Sequence, residues 1–377
     1  MALTVGVPVE TLPGERRVAM VPEVVARLKK KGLDVVVESG AGNQAFYQDE
    51  TFEKEGARIV DRATAFGSDV VVKVQPPNEE EVGLLKKGST YVGFLNPFDA
   101  PDVVRMLAEQ GVTAMAMELV PRITRAQKMD ALSAMAAVSG YKAVLLAAEA
   151  SPKFFPLLTT AAGTIRPSNL LVLGAGVAGL QAIATGRRLG ARVSAYDIRE
   201  AVREEVQSLG AAFVELELEI GDMQDTGGYA KALAEEKARR QTELLVPFIA
   251  KSDVVITTAL IPGRPAPTLI TEEAVKAMAP GSIIVDIAAP NGGNCVLTEP
   301  GETVTKHGVT IFGPLNLPST MPIHASDMYA RTVGAMLLEF ASAEGFKTDF
   351  EDEVFKGACL TYNGEVVNER VKTLLAA

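Results

Sequence analysis

The chain has 377 residues, 47% of them hydrophobic, enough apolar material for two domains of ordinary size. Its formal net charge of −10 argues against nucleic acid or an anionic membrane face as the main partner and leaves small ligands or proteins. The two cysteines, Cys295 and Cys359, form no C-x-x-C, so nothing points to a disulfide framework or a zinc site, and a reducing cytoplasm fits best.

Met1 to Glu10 lacks a basic segment followed by an apolar core, so it reads as a first strand and not as a signal peptide. Short β-branched runs then alternate with helical ones: Leu3 to Val9, Glu23 to Lys31, Asp34 to Glu38, Asp69 to Val74, Tyr91 to Leu95 and Val112 to Met117. This is α/β patterning with largely parallel strands. The charge runs Lys29 to Lys31 and Glu79 to Glu81 read as solvated helix faces. Near Met129 the pattern changes to a long helical stretch, Ala131 to Glu149, whose small residues suit close packing; it reads as a helix joining two domains.

A second α/β series follows, with strands near Asn169 to Leu173, Arg192 to Asp197, Ala212 to Glu215, Val254 to Thr258, Ile283 to Asp286 and Thr310 to Gly313. Six such strands predict a doubly wound set. The tail after Pro318 is more helical, from Ser326 to Ser342, and is expected to return to cover the first domain. The expected architecture is thus two Rossmann-like doubly wound α/β domains joined by a long helix, residues 1–130 with 320–377 and residues 131–319. The uncharged run Pro167 to Gly186 carries Ser168, Asn169, Gln181 and several glycines, which suit a strand and helix better than a lipid-facing span, so no transmembrane segment is expected.

The chemistry concentrates at Leu170 to Ala184, an apolar strand running into Gly174-Ala-Gly176-Val177-Ala-Gly179 and a helix. In a dinucleotide site Gly174 permits the tight turn, Gly176 lets backbone approach a pyrophosphate, and Gly179 lets helix and strand pack closely. The phosphates then sit on a helix N-terminus. The following strand ends in Asp197, an acid placed to meet a ribose 2′-hydroxyl and to repel a 2′-phosphate, so NAD(H) is expected over NADP(H), with Arg199 nearby weakening that discrimination.

A second polar cluster, Pro121 to Ser133, precedes the long helix. Gln127, Asp130 and Ser133 are three apart, so a helical turn brings an amide, a carboxylate and a hydroxyl toward one face, where they suit a nicotinamide carboxamide; Arg122 suits a phosphate or carboxylate. Thr124 and Gln127 read equally well as a capping box. The glycines in Asp225-Thr-Gly227-Gly228-Tyr229 suit a hinge, with Tyr229 either closing over a nucleotide or exposed on a surface loop. The strand ends at Thr257 to Gly263 and Asp286 to Gly293 are expected to line the cleft. His307 and His324, the only histidines, read as surface or packing residues. A dehydrogenase acting on an alcohol or amine needs a base, whereas hydride exchange between two nicotinamides does not, and a positioning site then suffices.

Taken together, Pro13-Gly-Glu-Arg16-Arg-Val-Ala, Ala116 to Asp130, Gly174 to Ala184, Thr226 to Lys231, Ile256 to Gly263 and Gly292-Gly-Asn-Cys295 resemble one family. It is the NAD(H)-binding α subunit, domain I, of proton-translocating NAD(P)+ transhydrogenase, within the alanine dehydrogenase/transhydrogenase family. The resemblance implies that Arg122, Gln127, Asp130 and Ser133 contact the nicotinamide end, with Gln127 and Asp130 positioning it for reaction. It makes the loop at Gly228 and Tyr229 a mobile lid and extends the NAD(H) contacts to Val177, Ile198, Arg199, Gln241 and Leu260. It further implies a homodimer that docks on a separate NADP(H)-binding domain of the membrane β subunit, with direct hydride transfer coupled to proton movement by membrane-spanning subunits. Ending at Ala377 without a span, the chain looks like the short α1 form, peripheral on the inner face of the plasma membrane.

Alanine dehydrogenase is the runner-up and shares a lysine equivalent to Lys73. Where that family places a catalytic histidine this chain has Asn96, and where it places an aspartate this chain has Pro290. A sensor that binds NAD(H) without turnover is a third reading.

Overall fold

The computed structural model describes residues 2–216, 228–261 and 264–376. The chain divides into two compact units, Met1–Met135 with Pro318–Ala377, and Ala136–Leu317. In the first unit β1 (Thr4–Val7), β2 (Asp34–Glu38), β3 (Arg58–Val60), β4 (Val70–Val72), β5 (Thr90–Gly93) and β6 (Thr113–Ala116) run parallel in the order β3-β2-β1-β4-β5-β6. Chain direction across the sheet reverses between β1 and β4. Strands of this kind are buried on both faces, which is why Val35, Val36, Val37 and Val70, Val71, Val72 form continuous apolar runs without alternation.

The second unit begins with a hairpin of β7 (Leu158–Thr160) and β8 (Gly163–Ile165). It continues through β9 (Asn169–Leu173), β10 (Arg192–Tyr196), β11 (Ala212–Phe213), β12 (Val254–Thr257), β13 (Ile283–Asp286), β14 (Thr303–Lys306) and β15 (Val309–Phe312). Their order is β11-β10-β9-β12-β13-β15-β14, parallel except for β14 against β15. The six parallel members have the strand order of dinucleotide-binding sheets, with the switch point between β9 and β12. Leu170, Val172, Val254 and Ile256 face one apolar cluster, while Leu171, Leu173 and Val255 face another on the opposite side.

The tail does more than cover the first sheet. The helix Pro322–Phe340 and a small hairpin of β16 (Ala341–Ser342) and β17 (Gly345–Phe346) precede β18 (Cys359–Tyr362), which pairs antiparallel with β6. β19 (Glu365–Val366) then closes that edge. Thr361 anchors the join, its hydroxyl donating to Val112 O at 2.7 Å and accepting from the Ala114 amide at 3.1 Å.

The run Pro167 to Gly186 forms β9 and the first ten residues of the helix Val177–Arg188, as a strand and helix should. Among the described residues one helix, Ala131–Ala150, is long and apolar enough to cross a membrane by length and composition alone. Its Ala143, Val144 and Ala147 are fully buried in the second unit's core with Leu170 and Val172, and a core helix passes the same test.

Candidate nucleotide-binding site

The glycine turn begins where β9 ends. Gly174 has φ +99°, in the left-handed region, and a Cβ there would come within 2.6 Å of Thr258 Oγ1. A Cβ on Gly179 would collide with Gly174 O, so helix and turn meet at a distance only glycine allows. A Cβ on Gly176 would meet nothing within 4 Å, which leaves the turn open on the side where a pyrophosphate lies in such folds. The helix Val177–Arg188 starts here with Gly176 as N-cap and no side chain capping it, so its first amides face outward without a side-chain partner. These features fit a dinucleotide.

Asp197, one residue past β10, is buried and organises the same turn. Its carboxylate accepts from the Ala175 amide at 2.8 Å and from Arg199 through the backbone amide, Nε and Nη2 at 2.8, 3.0 and 2.9 Å. Burial raises the pKa of this carboxyl, but the bonds from Arg199 and Ala175 outweigh burial and hold it below the ordinary range. Asp197 is thus ionised and already paired, and Arg199, the residue expected to weaken its selectivity, is its partner.

Val177, Ile198 and Leu260 are large apolar side chains left 44%, 63% and 50% exposed around the turn and the ends of β10 and β12, the opposite of what burial favours. Gln241 is half-buried on the helix Gly228–Ala250. Gly228 begins that helix and Tyr229 lies in its first turn, but the Tyr229 side chain, like the residues Asp225 to Gly227 and Pro262 and Gly263, lies outside the described residues.

In the first unit the segment Arg122 to Ser133 is not one helical turn. Thr124–Met129 is a 3-10 helix with Ile123 at its N-cap and no capping side chain, so the Thr124 and Gln127 capping box does not form. Asp130 interrupts instead, accepting from the Ser133 amide at 2.8 Å and hydroxyl at 2.6 Å at the start of the long helix. The structure therefore brings Asp130 and Ser133 together and leaves Arg122 and Gln127 exposed. Arg125 and Lys128, which no sequence signal singles out, moor the segment: Arg125 to Glu339 and Asp352 at 3.1 and 2.8 Å, Lys128 to Glu339 at 2.9 Å.

The switch point of the first unit is filled by the protein's own charges. Glu81, expected on a solvated face, is fully buried: with Asn78 it forms a capping box, and its carboxylate takes Lys73 Nζ at 2.7 Å and Arg62 at 3.0 Å. The Asn78-x-x-Glu81 spacing was the available signal. Lys73, 1% exposed, also lies 3.9 Å from Glu10. Arg17 is paired with Glu15, which also accepts from Gln75 at 2.7 Å. Burial pushes the Glu10 carboxyl up to about 7, against a smaller opposing effect of Lys73. At Glu15 burial is overridden by Arg17, and the carboxyl falls to about 2. Asn96 is exposed with φ +46°, its amide donating to Glu118. Pro290 is exposed in the turn Ala289–Asn291. His307 is exposed in the β14–β15 turn, 3.0 Å from Glu272, and His324 is exposed on the tail helix.

Both halves of the chain match family models, residues 6–139 the alanine dehydrogenase/PNT N-terminal domain and residues 143–369 the C-terminal domain. The chain is 45% identical over 97% of its length to a Rhodospirillum rubrum protein that forms a portion of NAD(P) transhydrogenase subunit alpha, covering 98% of that protein. A transhydrogenase structure from Sinorhizobium meliloti superposes with a TM-score of 0.86 at 40% identity, covering 97% of this chain and 99% of that one. Alanine dehydrogenase of Bacillus subtilis is 30% identical over 98% of this chain and 94% of its own. The chain belongs to the alanine dehydrogenase/PNT family, and lies nearer these transhydrogenases than this alanine dehydrogenase.

Proposed function

We propose that the chain is the NAD(H)-binding subunit of a proton-translocating NAD(P)+ transhydrogenase, an oxidoreductase active with partner subunits. The observation that carries the nucleotide half of this reading is the glycine turn at the β9–β12 switch point, open at Gly176 and braced by Asp197. The kinship with transhydrogenase α subunits supplies the reaction. When bound, the nicotinamide supplies the hydride chemistry. The chain's own residues have other tasks: the turn amides and helix start hold phosphate, Asp197 and Arg199 meet the adenosine ribose, and Val177, Ile198, Leu260 and Gln241 line the nucleotide. Arg122, Gln127, Asp130 and Ser133 orient the carboxamide, and Gly228 and Tyr229 close over it. Positioning of this kind contributes through proximity and orientation, without a proton to move.

The same reading makes the chain a homodimer docked on the NADP(H)-binding domain of a membrane β subunit. It places the complex at the inner face of the plasma membrane, with proton translocation in membrane-spanning partners. Against alanine dehydrogenation stand Asn96 and Pro290 at the expected acid and base positions. Gln127→Asn is expected to slow hydride transfer at least about tenfold, the equivalent of one misplaced hydrogen bond, while NADH affinity stays within about twofold. Equal losses in both would contradict a positioning role, and a wild-type chain that binds NADH but transfers no hydride with any partner domain would favour the sensor.

A further inference from the structure

Two loops leave the carboxyl ends of β12 and β13 beside the glycine turn, and one buried side chain ties them together. Asn294 is fully buried, yet its carboxamide bonds like a length of backbone: Oδ1 accepts from the Ala259 amide at 3.0 Å, and Nδ2 donates to Ala259 O at 2.9 Å and to Pro267 O at 2.8 Å. Its own amide donates to Asp286 Oδ2 at 2.8 Å, and its carbonyl accepts from Leu269 and Ile270. The three side-chain bonds require an amide of this length, since a carboxylate would set oxygen against two carbonyls.

Asp286 is the fixed base of the arrangement. It is fully buried and accepts from five donors: Thr257 Oγ1 at 2.8 Å, the Ala288, Asn294 and Cys295 amides at 3.1, 2.8 and 3.0 Å, and Thr298 Oγ1 at 2.7 Å. Only an acceptor-only group satisfies five donors. Gly293 makes room for it, having φ +82° and a Cβ position 2.6 Å from Asp286 Oδ2. At the other end of the link Thr258 donates to Gly174 O at 3.0 Å. An unbroken path therefore runs from Asp286 through Asn294 and Ala259 to Thr258 and the carbonyl of the first turn glycine. Leu260, 50% exposed, is the next residue after the clamped one.

We propose that Asn294 is a positioning residue for bound NAD(H), fixing Ala259, and with it Leu260 and Thr258, against the glycine turn. Asn294 touches no nucleotide itself; it sets the floor on which the nucleotide rests. The inference rests on the nucleotide reading of the turn.

The test is NADH affinity of the folded chain, read by nucleotide fluorescence well below the melting temperature. Wild type must bind NADH, and failure to do so overturns the nucleotide reading and this proposal together. With wild-type binding intact, Asn294→Ala is expected to raise the Kd about tenfold, and melting is recorded alongside. A lowered melting temperature with a Kd within twofold of wild type means a structural residue only and overturns the proposal. Should Asn294→Ala fail to fold, Thr258→Val decides, because it removes the far end of the link isosterically. A several-fold rise in Kd that Thr258→Ser restores supports the proposal, and an unchanged Kd in Thr258→Val overturns it.

Discussion

Asp197 braces the glycine turn, and on the proposed function it also sets nucleotide selectivity. Its carboxylate already holds the Ala175 amide and the Arg199 guanidinium, so a ribose 2′-hydroxyl bound as proposed would join an existing ion pair instead of meeting a bare acid. Removing the acid would free Arg199, 59% exposed at its side chain, to receive a 2′-phosphate. Asp197→Ala is therefore expected to weaken NADH and strengthen NADPH, moving the affinity ratio at least about tenfold toward NADPH. Titration of both nucleotides checks this, and an unchanged ratio would remove Asp197 from the ribose site. Lys73 is the contrasting case. Its charge is spent chiefly on Glu81, so Lys73→Met leaves that buried carboxylate with Arg62 as its remaining cation and is expected to cost about 3 kcal/mol of stability. NADH affinity of the protein that remains folded should stay within twofold; a large loss of affinity would give Lys73 a cofactor role.

The elements legible in the sequence are those whose burial is two-sided. β2, β9 and β13 appear with the limits that their apolar runs suggest, because strands covered on both faces leave no polar positions to blur the pattern. β7 and β8 escape such a reading because they are short and mostly exposed, and β18 and β19 because strands of four and two residues within a helical tail carry little periodicity. The glycine turn is legible because backbone geometry dictates its residues. The charges of the first unit are not, since Glu10 lies far along the chain from Lys73 and Glu81 and only the fold joins the three. That cluster gives stability a pH signature. Folded Glu10, at about 7, keeps its proton while the unfolded carboxyl, near 4.5, loses it, so its contribution is full below pH 4.5 and is lost as pH rises to 7. Wild type should lose up to ~3 kcal/mol relative to Glu10→Gln across that window, and the difference should be constant above it. Melting curves from about pH 4.5 to 8 measure this, and parallel profiles for the two proteins would show that Glu10 is ionised in the folded state.

At the scale of the whole molecule, the chain repeats one sheet order and uses the two switch points differently. In the second unit the crevice between β9 and β12 is floored by glycine, faced by outward amides and rimmed by exposed apolar side chains. In the first unit the equivalent position, between β1 and β4, is filled by Glu10, Lys73, Glu81, Glu15 and Arg17. One unit is thus built to receive a nucleotide, while the other satisfies its own charges internally. On the proposed function, a protein of this design would position NAD(H) and leave proton movement to partners. The most direct measurement is hydride transfer from NADPH to an NAD+ analogue by the purified chain, with and without a transhydrogenase NADP(H)-binding domain, beside a control of L-alanine and NAD+. Transfer is expected only when both proteins are present. Reduction of NAD+ by L-alanine with this chain alone, or NADH binding with no transfer under either condition, would contradict it.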